Sequence, residues 1–382
     1  MAMKSRNGVV LARIETTPGT ENAPVPATDS VLVENVSLNP EADIVDTNEL
    51  TGSLDSFGPI TGGMRATISF DVYLKGSGAA GTPPEWGDLI RACGFSETIT
   101  AVAVPAAPEA LAAGTSTIQA TLGTSASTTP QIYRGMPIVF AGAVSLTSLI
   151  WDYTAAKLAK IIGKGSANLT TGVTYQIPPN VVYRPASAGI PALTLYVFID
   201  GLRRRYVGCR GNVSVTLAAG GPGRLSFTFT GIPLGDTDTA NPVPVFDATR
   251  PQVWRGGQSR LNNDPAAVSQ LQVDFGAQTG NPENPEAAEG FDVAEIFSRR
   301  GSGSMDPEKV LVATRDTFGL ARTGARVPIG ALYGTGAGER VGLTLPQAHL
   351  LPPTIVDRNG VAAETVPFQL TGQDAGGMIA IW

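Results

Sequence analysis

Apolar residues fall on every second position in three successive runs between Leu193 and Gly231: Leu193, Leu195, Val197 and Ile199, then Val213, Val215 and Leu217, then Leu225, Phe227 and Phe229. A period of two puts the apolar side chains of each run on one face, which is strand spacing. Asp200-Gly201 separates the first run from an arginine-bearing return strand and predicts a tight hairpin with positive φ. The same alternation marks Arg65 to Lys75, with Ile68, Phe70, Val72 and Leu74 on one face and Thr67, Ser69, Asp71 and Tyr73 on the other. Shorter strand patterns cover Val31–Leu38, Thr117–Leu122, Ile132–Phe140, Ser148–Tyr153, Ala159–Ile162, Val181–Arg184, Val268–Phe275 and Phe291–Phe297. Two short helices are predicted. Thr82-Pro83-Pro84-Glu85 supplies a cap, an N-terminal proline and a first-turn acid for one that runs to Cys93 and stops at Gly94. Asp306-Pro307-Glu308 opens the other, to about Phe318.

The elements recur in order. Strand, loop, strand, helix and terminal sheet stand on both sides of a proline- and aspartate-rich linker at 234–265. The expected organisation is two tandem β units, one from residues 1–98 with 184–233 and one from 266–382. Residues 1–30 form an arm that cannot make a core by itself. Between 99 and 183 the texture turns to Ala, Thr and Ser with scattered strands, which reads as an inserted small all-β domain. The polar stretch from Asn39 to Gly63 reads as a long loop, and a loop of that length is more often a contact device than slack.

Composition narrows the classes. The 382 residues include 45 Gly and 29 Pro, and only 16% are charged, so the chain is turn-rich, neutral-polar and mainly β. A net charge of −6 argues against a general nucleic-acid binder, which needs surplus Lys and Arg for phosphate contacts. Two cysteines, Cys93 and Cys209, are too few for a disulfide framework. MAMKSRNGVVLARIE lacks a long apolar core and no later run approaches a membrane span, so the expectation is a protein made in the cytoplasm, without a membrane partner.

Reactive constellations are sparse. The single histidine, His349, sits at a strand end among prolines, which leaves no zinc spacing, no Ser-His-Asp set and no Cys-His pair. Asp43, Asp46 and Glu49, or Asp236 and Asp238, could in principle form a carboxylate metal site, although acids on an exposed loop usually meet water. Gly334-Thr335-Gly336-Ala337-Gly338 is followed by strand alternation, so it reads as a hairpin and not as a dinucleotide turn. No catalytic residue, cofactor or metal is assigned.

Several stretches in one order resemble the major tail tube proteins of long, non-contractile-tailed bacteriophages. They are IETTPGTENAPVPATDSVLVENV, RATISFDVYLKGSG followed by PPEWGDLIRACGF, YRPASAGIPALTLYVFIDGLRRRYVGCRGNVSVTLAAGGPGRLSFTFTG, and SMDPEKV. They cover most of the chain outside the insertion, and none is a catalytic signature. The resemblance implies two tandem β-sandwich or half-barrel folds, each with a short flanking helix, in a structural virion protein that stacks as rings into the tail tube through which DNA is ejected. Members with one fold per chain form hexameric rings. A chain with two would form trimeric pseudo-hexameric rings, and hexameric ones if the duplication is absent. Implied partners are further copies of the chain, tape-measure and tail-terminator proteins, and DNA in transit without specific binding.

On this resemblance Thr67, Ser69, Asp71 and Tyr73 are lumen candidates, the competing reading being that their face packs on the helix. Val10 and Ile14 of the arm, with Asp43, Asp46, Glu49, Asp55 and Phe57 of the loop, are candidates for ring-to-ring contact. Arg203, Arg204, Arg205 and Arg210 form the one basic cluster, either pairing with acids of a neighbouring copy or standing as solvated turn charges. The insertion would hang outside as decoration. Two other classes remain: a capsid decoration or other immunoglobulin-like virion protein, which needs no pair of equivalent folds, and a polysaccharide-acting β-enzyme, which needs a carboxylate pair in a groove.

Overall fold

The computed structural model describes every residue except 1, 2, 5, 51, 56, 57 and 115. The first part of the chain forms β1 (Gly8–Ile14), β2 (Ser30–Val31), β3 (Glu34–Val45), β4 (Ile60–Tyr73), helix α1 (Gly87–Ala92) and β5 (Phe95–Thr100). The middle forms β6 (Val104–Ala110), β7 (Gln119–Thr121), β8 (Pro137–Gly142), β9 (Leu146–Tyr153), β10 (Leu158–Ile161) and β11 (Val173–Ile177). The chain then returns through β12 (Asn180–Pro185), β13 (Leu193–Ile199), β14 (Leu202–Ala218) and β15 (Arg224–Asp238). The expected linker at 234–265 is strand at both ends, since β15 runs to Asp238 and β16 (Gln258–Leu261) and β17 (Asp264–Pro265) fall within it; β18 (Val268–Asp274), β19 (Ala277–Gly280), β20 (Glu295–Arg299), β21 (Ser302–Pro307) and helix α2 (Thr317–Thr323) follow. The chain closes with β22 (Arg326–Tyr333), β23 (Val341–Leu350), β24 (Thr354–Arg358), β25 (Val361–Leu370) and β26 (Met378–Ile381).

The protein is mainly β, and its largest feature is an antiparallel row of eight strands, β3–β4–β15–β14–β18–β21–β25–β24. The alternation of β4, β14 and β15 sends Ile68, Phe70, Val72, Val213, Val215, Leu225, Phe227 and Phe229 to one face, where all are buried. A second layer covers that face. It contains β2–β1–β13, which joins the first part of β14, and β16–β22–β23–β26–β12–β5. One apolar core lies between the layers, running from Ile68 and Phe227 across β14 and β18 to Val366 and Phe368. Helix α1 packs against β1, β13 and β14 and adds Trp86, Leu89 and Ile90 to this core.

The strands of residues 104–177 make a separate six-stranded sheet, β6–β11–β8–β9–β10–β7. Just past β6, Ala112 donates its N–H to the Thr121 carbonyl and Thr121 donates to Ala113, so the sheet closes on itself as a small barrel. Its core holds Phe140, Ile150, Tyr153 and Tyr175, and it also takes Val182, Met378, Ala380 and Trp382 from β12 and the chain around β26. Val181, Tyr183, Ile379 and Ile381 alternate with those residues and face the larger core. β12 and β26 are therefore buried on both faces, which anchors the small barrel on the outer layer in place of a loose attachment. Lys164 to Asp264, at 2.5 Å, and Asn263 accepting from the Gly163 N–H add polar ties.

Local chemistry explains where the chain departs from its pattern. Asp200 and Gly201 have φ of 47° and 99°, the hairpin expected of them. The expected loop between Asn39 and Gly63 is strand at both ends, because β3 and β4 continue pairing out to Val45 opposite Ile60, and the loop proper is 46–59. No helix starts at Asp306. That carboxylate accepts from the N–H groups of Ser269 and Gln270 across the sheet, holding Asp306 and Pro307 in β21. The helix begins ten residues later, where Asp316 caps it by accepting from the Gly319 N–H at 2.8 Å and Gly324 ends it with φ +67°.

Candidate functional site, a polar sheet face with two open edges

The face of the eight-strand row turned away from the core is polar across β4, β15, β14, β18 and β21, and Pro367, Val361 and Val356 join it in β25 and β24. Thr67, Ser69 and Asp71 of β4 stand opposite Thr230, Thr228 and Ser226 of β15, and Asn212 and Ser214 of β14 continue the rows. Ser214 lies opposite Asp274 of β18, Asp274 opposite Ser302 of β21, and Ser302 opposite Gln369 of β25. Apart from Ser302, which lies between two glycines, each polar residue is a neighbour in sequence of a core residue, so the period-two pattern that fills the core also writes this face. Thr67, Ser69, Asp71 and Tyr73 are all half-buried among strand neighbours, and helix α1 lies in the core on the other side.

Charge on this face is locally compensated. Asp71 accepts hydrogen bonds from Ser226 at 2.5 Å and Asn35 at 2.7 Å, and lies 3.6 Å from Arg224. Arg224 also reaches Glu34 at 3.2 Å and sits over the Tyr73 ring at 5.3 Å. Hydrogen bonding to Glu34 raises the Tyr73 hydroxyl above its ordinary pKa, so it stays neutral. Arg65 pairs with Glu41 at 3.2 Å and Asp43 at 3.8 Å. The result is a carpet of hydroxyls and amides in which the cations are held by carboxylates. Arg224 and Glu34 escaped the sequence reading because their strand register, not their local pattern, brings them to Asp71 and Tyr73.

The other expected residues separate into distinct places. Val10 is 2% exposed, packed in β1 between Val31 and Val197, and Ile14 is half-buried. Asp43, Asp46 and Glu49 are exposed on the β3–β4 ribbon, and Asp55 accepts a hydrogen bond from Ser53. Phe57 lies outside the described residues. Among the described residues, no three His, Cys, Asp or Glu side chains gather as a metal-binding set. The arginines meet partners within the chain: Arg203 stacks over Tyr196 at 5.2 Å, Arg204 pairs with Asp236 at 3.1 Å and Arg205 with Glu21 at 3.1 Å. Arg210 is buried, donating to the carbonyls of Ala294 and Ile190 and pairing with Glu295 at 2.5 Å.

Both ends of the row are open. Among the described residues β3 pairs with β4 alone and β24 with β25 alone, which leaves each with a free hydrogen-bonding edge. Such edges are templates for further strands. The β3–β4 ribbon runs past the end of β15, which stops pairing at Ala66, and carries Ile44, Val45, Leu50, Leu54 and Ile60 into the open.

Comparison with known families gives this geometry its context: the family described as phage tail tube protein matches residues 5–370, nearly the whole chain. The chain belongs to that family. No curated protein sequence matches it. A tail tube protein is a structural component of the virion tail that assembles with copies of itself, and a sheet with two free edges suits such a role. Among the described residues of this tail tube protein no helix is long and apolar enough to cross a membrane.

Proposed function

We propose that this tail tube protein is two tail-tube units in tandem, and that three copies close edge to edge into a ring whose eight-strand rows form one continuous barrel. Stacked rings then make the channel for DNA. The observation that carries this reading is a repeated pairing order. β1, β2, β3, β4, α1, β13, β14 and β15 correspond in chain order to β16, β17, β18, β21, α2, β22, β23 with β24, and β25. The pairings β1–β13, β1–β2, β3–β4, β4–β15, β13–β14 and β14–β15 recur as β16–β22, β16–β17, β18–β21, β21–β25, β22–β23 and β24–β25. Lys75 and Lys309, just past β4 and β21, also each neutralise a buried glutamate, Glu85 and Glu364.

Within the chain the units meet where β14 pairs with β18, the last strand of one row of four with the first of the next. The same rule joins β24 of one copy to β3 of another, and ring closure removes both free edges. The polar face then lines the bore, where hydroxyls and amides with carboxylate-held arginines let phosphates pass without adsorbing. The β3–β4 ribbon reaches the neighbouring ring. Tape-measure and tail-terminator proteins would fill and cap such a tube, and the small barrel would sit on its outside. Native mass and electron micrographs of the purified protein test this: rings of three chains with an open bore support it, and rings of six chains or isolated monomers overturn it.

A further inference from the structure

The seam inside the chain covers a site that elsewhere is left open. At the end of β22 Tyr333 is 1% exposed, because Leu217 from the end of β14 and Leu74 from the segment leaving β4 close around it at Gly223. That segment runs on along the β22–β23 turn, where Gly78 donates its N–H to the Gly338 carbonyl at 3.2 Å. Among the described residues the corresponding end of β13 has no such cover. Ile199, Leu202, Val9 and Val36 instead line a groove of about 940 Å³ beside the free edge of β3, and Val36 is 40% exposed.

The corresponding cover also exists, at the far end of the sheet. The segment leaving β21 carries Leu311 and Val312, 81% and 64% exposed, and the neighbouring edge strand β24 exposes Ile355 at 66%. Six strands separate β3 from β24 in the row, on the order of 30 Å at ordinary strand spacing, so the cover does not meet the groove of its own chain. We infer that Leu311 and Val312 of one copy dock into the Ile199–Leu202–Val36 groove of the next, with β24 running antiparallel to β3 as β14 does to β18. The occupant is a second copy because the groove and its cover reproduce an interface the chain already makes with itself. The inference rests on the ring reading above and adds the lateral contact that would hold the ring.

Two measurements test it. Leu311→Asp with Val312→Asp changes only exposed side chains, so the monomer should keep the wild-type circular dichroism spectrum. The concentration for half-assembly should rise at least ~100-fold, since the contact would bury two carboxylates. A photo-crosslinking phenylalanine in place of Leu311, in a mixture of isotopically light and heavy chains, should join residues 311 and 33–38 or 199–204 of different copies. A variant that assembles at the wild-type concentration, or cross-links that stay within one chain or land elsewhere, overturns the inference while leaving the ring intact. Wild-type protein that never assembles overturns the ring reading itself.

Discussion

Leu217 of β14 and Leu271 of β18 stand directly opposite one another, both fully buried, where the two parts of the chain share one sheet and one core. Truncating either leaves a hole under both parts. Leu271→Ala should therefore cost about 2–5 kcal/mol, as large-to-small changes in a packed core do. Because the core is continuous across the seam, urea unfolding followed by fluorescence should keep a single transition at a lower midpoint. A variant that unfolds in two steps, with one step unchanged, would mean the parts are held separately.

Lys75 and Glu85 form a buried ion pair at 3.1 Å, 4% and 8% exposed, and Lys75 also donates to the Asp247 carbonyl in the linker. Removing one partner strands the other charge in the interior. Lys75→Met should destabilise by about 3–5 kcal/mol, whereas Lys75→Met with Glu85→Leu should recover most of that loss. Equal losses in the single and double variants, read from denaturant midpoints, would show that the pair's packing and not its charge matters.

The polar rows and the apolar core were legible together, since Ile68, Phe70 and Val72 cannot alternate inward without Thr67, Ser69 and Asp71 alternating outward. The Asp200-Gly201 hairpin followed from two residues. Long-range register was not legible: nothing local to Arg224 points to Asp71 and Glu34, and nothing local to Asp306 announces the N–H groups of Ser269 and Gln270 that keep it in a strand. The arginine cluster invited an intermolecular reading because its partners, Glu21 and Glu295 among them, are distant in sequence and near in space. The double-sided burial of β26 was written in the unbroken apolar run Met378–Trp382, a pattern that alone does not separate a strand buried on both faces from a buried helix.

Glu15 gives a pH signature. Its carboxylate is 5% exposed and accepts from the N–H groups of Gly208 and Gly19 and the hydroxyl of Thr194, tying the arm to β13 and β14. Burial is the largest influence and raises its pKa above 4.5, against those hydrogen bonds and Arg210. A carboxyl whose pKa is raised in the folded state favours the fold while protonated and loses that advantage as pH rises through the folded value. The stability of wild type relative to Glu15→Gln should thus fall as pH rises from below 4.5 toward neutrality. A difference that grows with pH would reverse the assigned direction.

If the polar face lines the bore, positive charge there should make it sticky. Ser69→Lys with Thr228→Lys places two ammonium groups on neighbouring strands, each away from the core. Assembled variant tubes should retain duplex DNA at low salt and release it as salt rises, while wild-type tubes retain little under either condition. Equal retention by both would move the DNA path off this face.

The ribbon of β3 and β4 makes the sharpest separation between folding and assembly. Beyond Ala66 it has no third strand among the described residues, and Leu50 and Leu54 project fully into solvent near its tip. Apolar side chains held out on a two-stranded arm contribute nothing to the core of their own chain, and their exposure is relieved only by another surface. Val10 is committed to the core and Ile14 is half-buried, so if stacked rings touch through one of these elements, the ribbon is the one that offers exposed apolar side chains. Leu50→Ser with Leu54→Ser should leave the unfolding midpoint within about 0.5 kcal/mol of wild type, as surface changes do. Rings should still close, since their lateral edges are untouched, and micrographs should show single or short stacks where the wild type forms long tubes. Long tubes from the variant would move axial contact to another part of the ring.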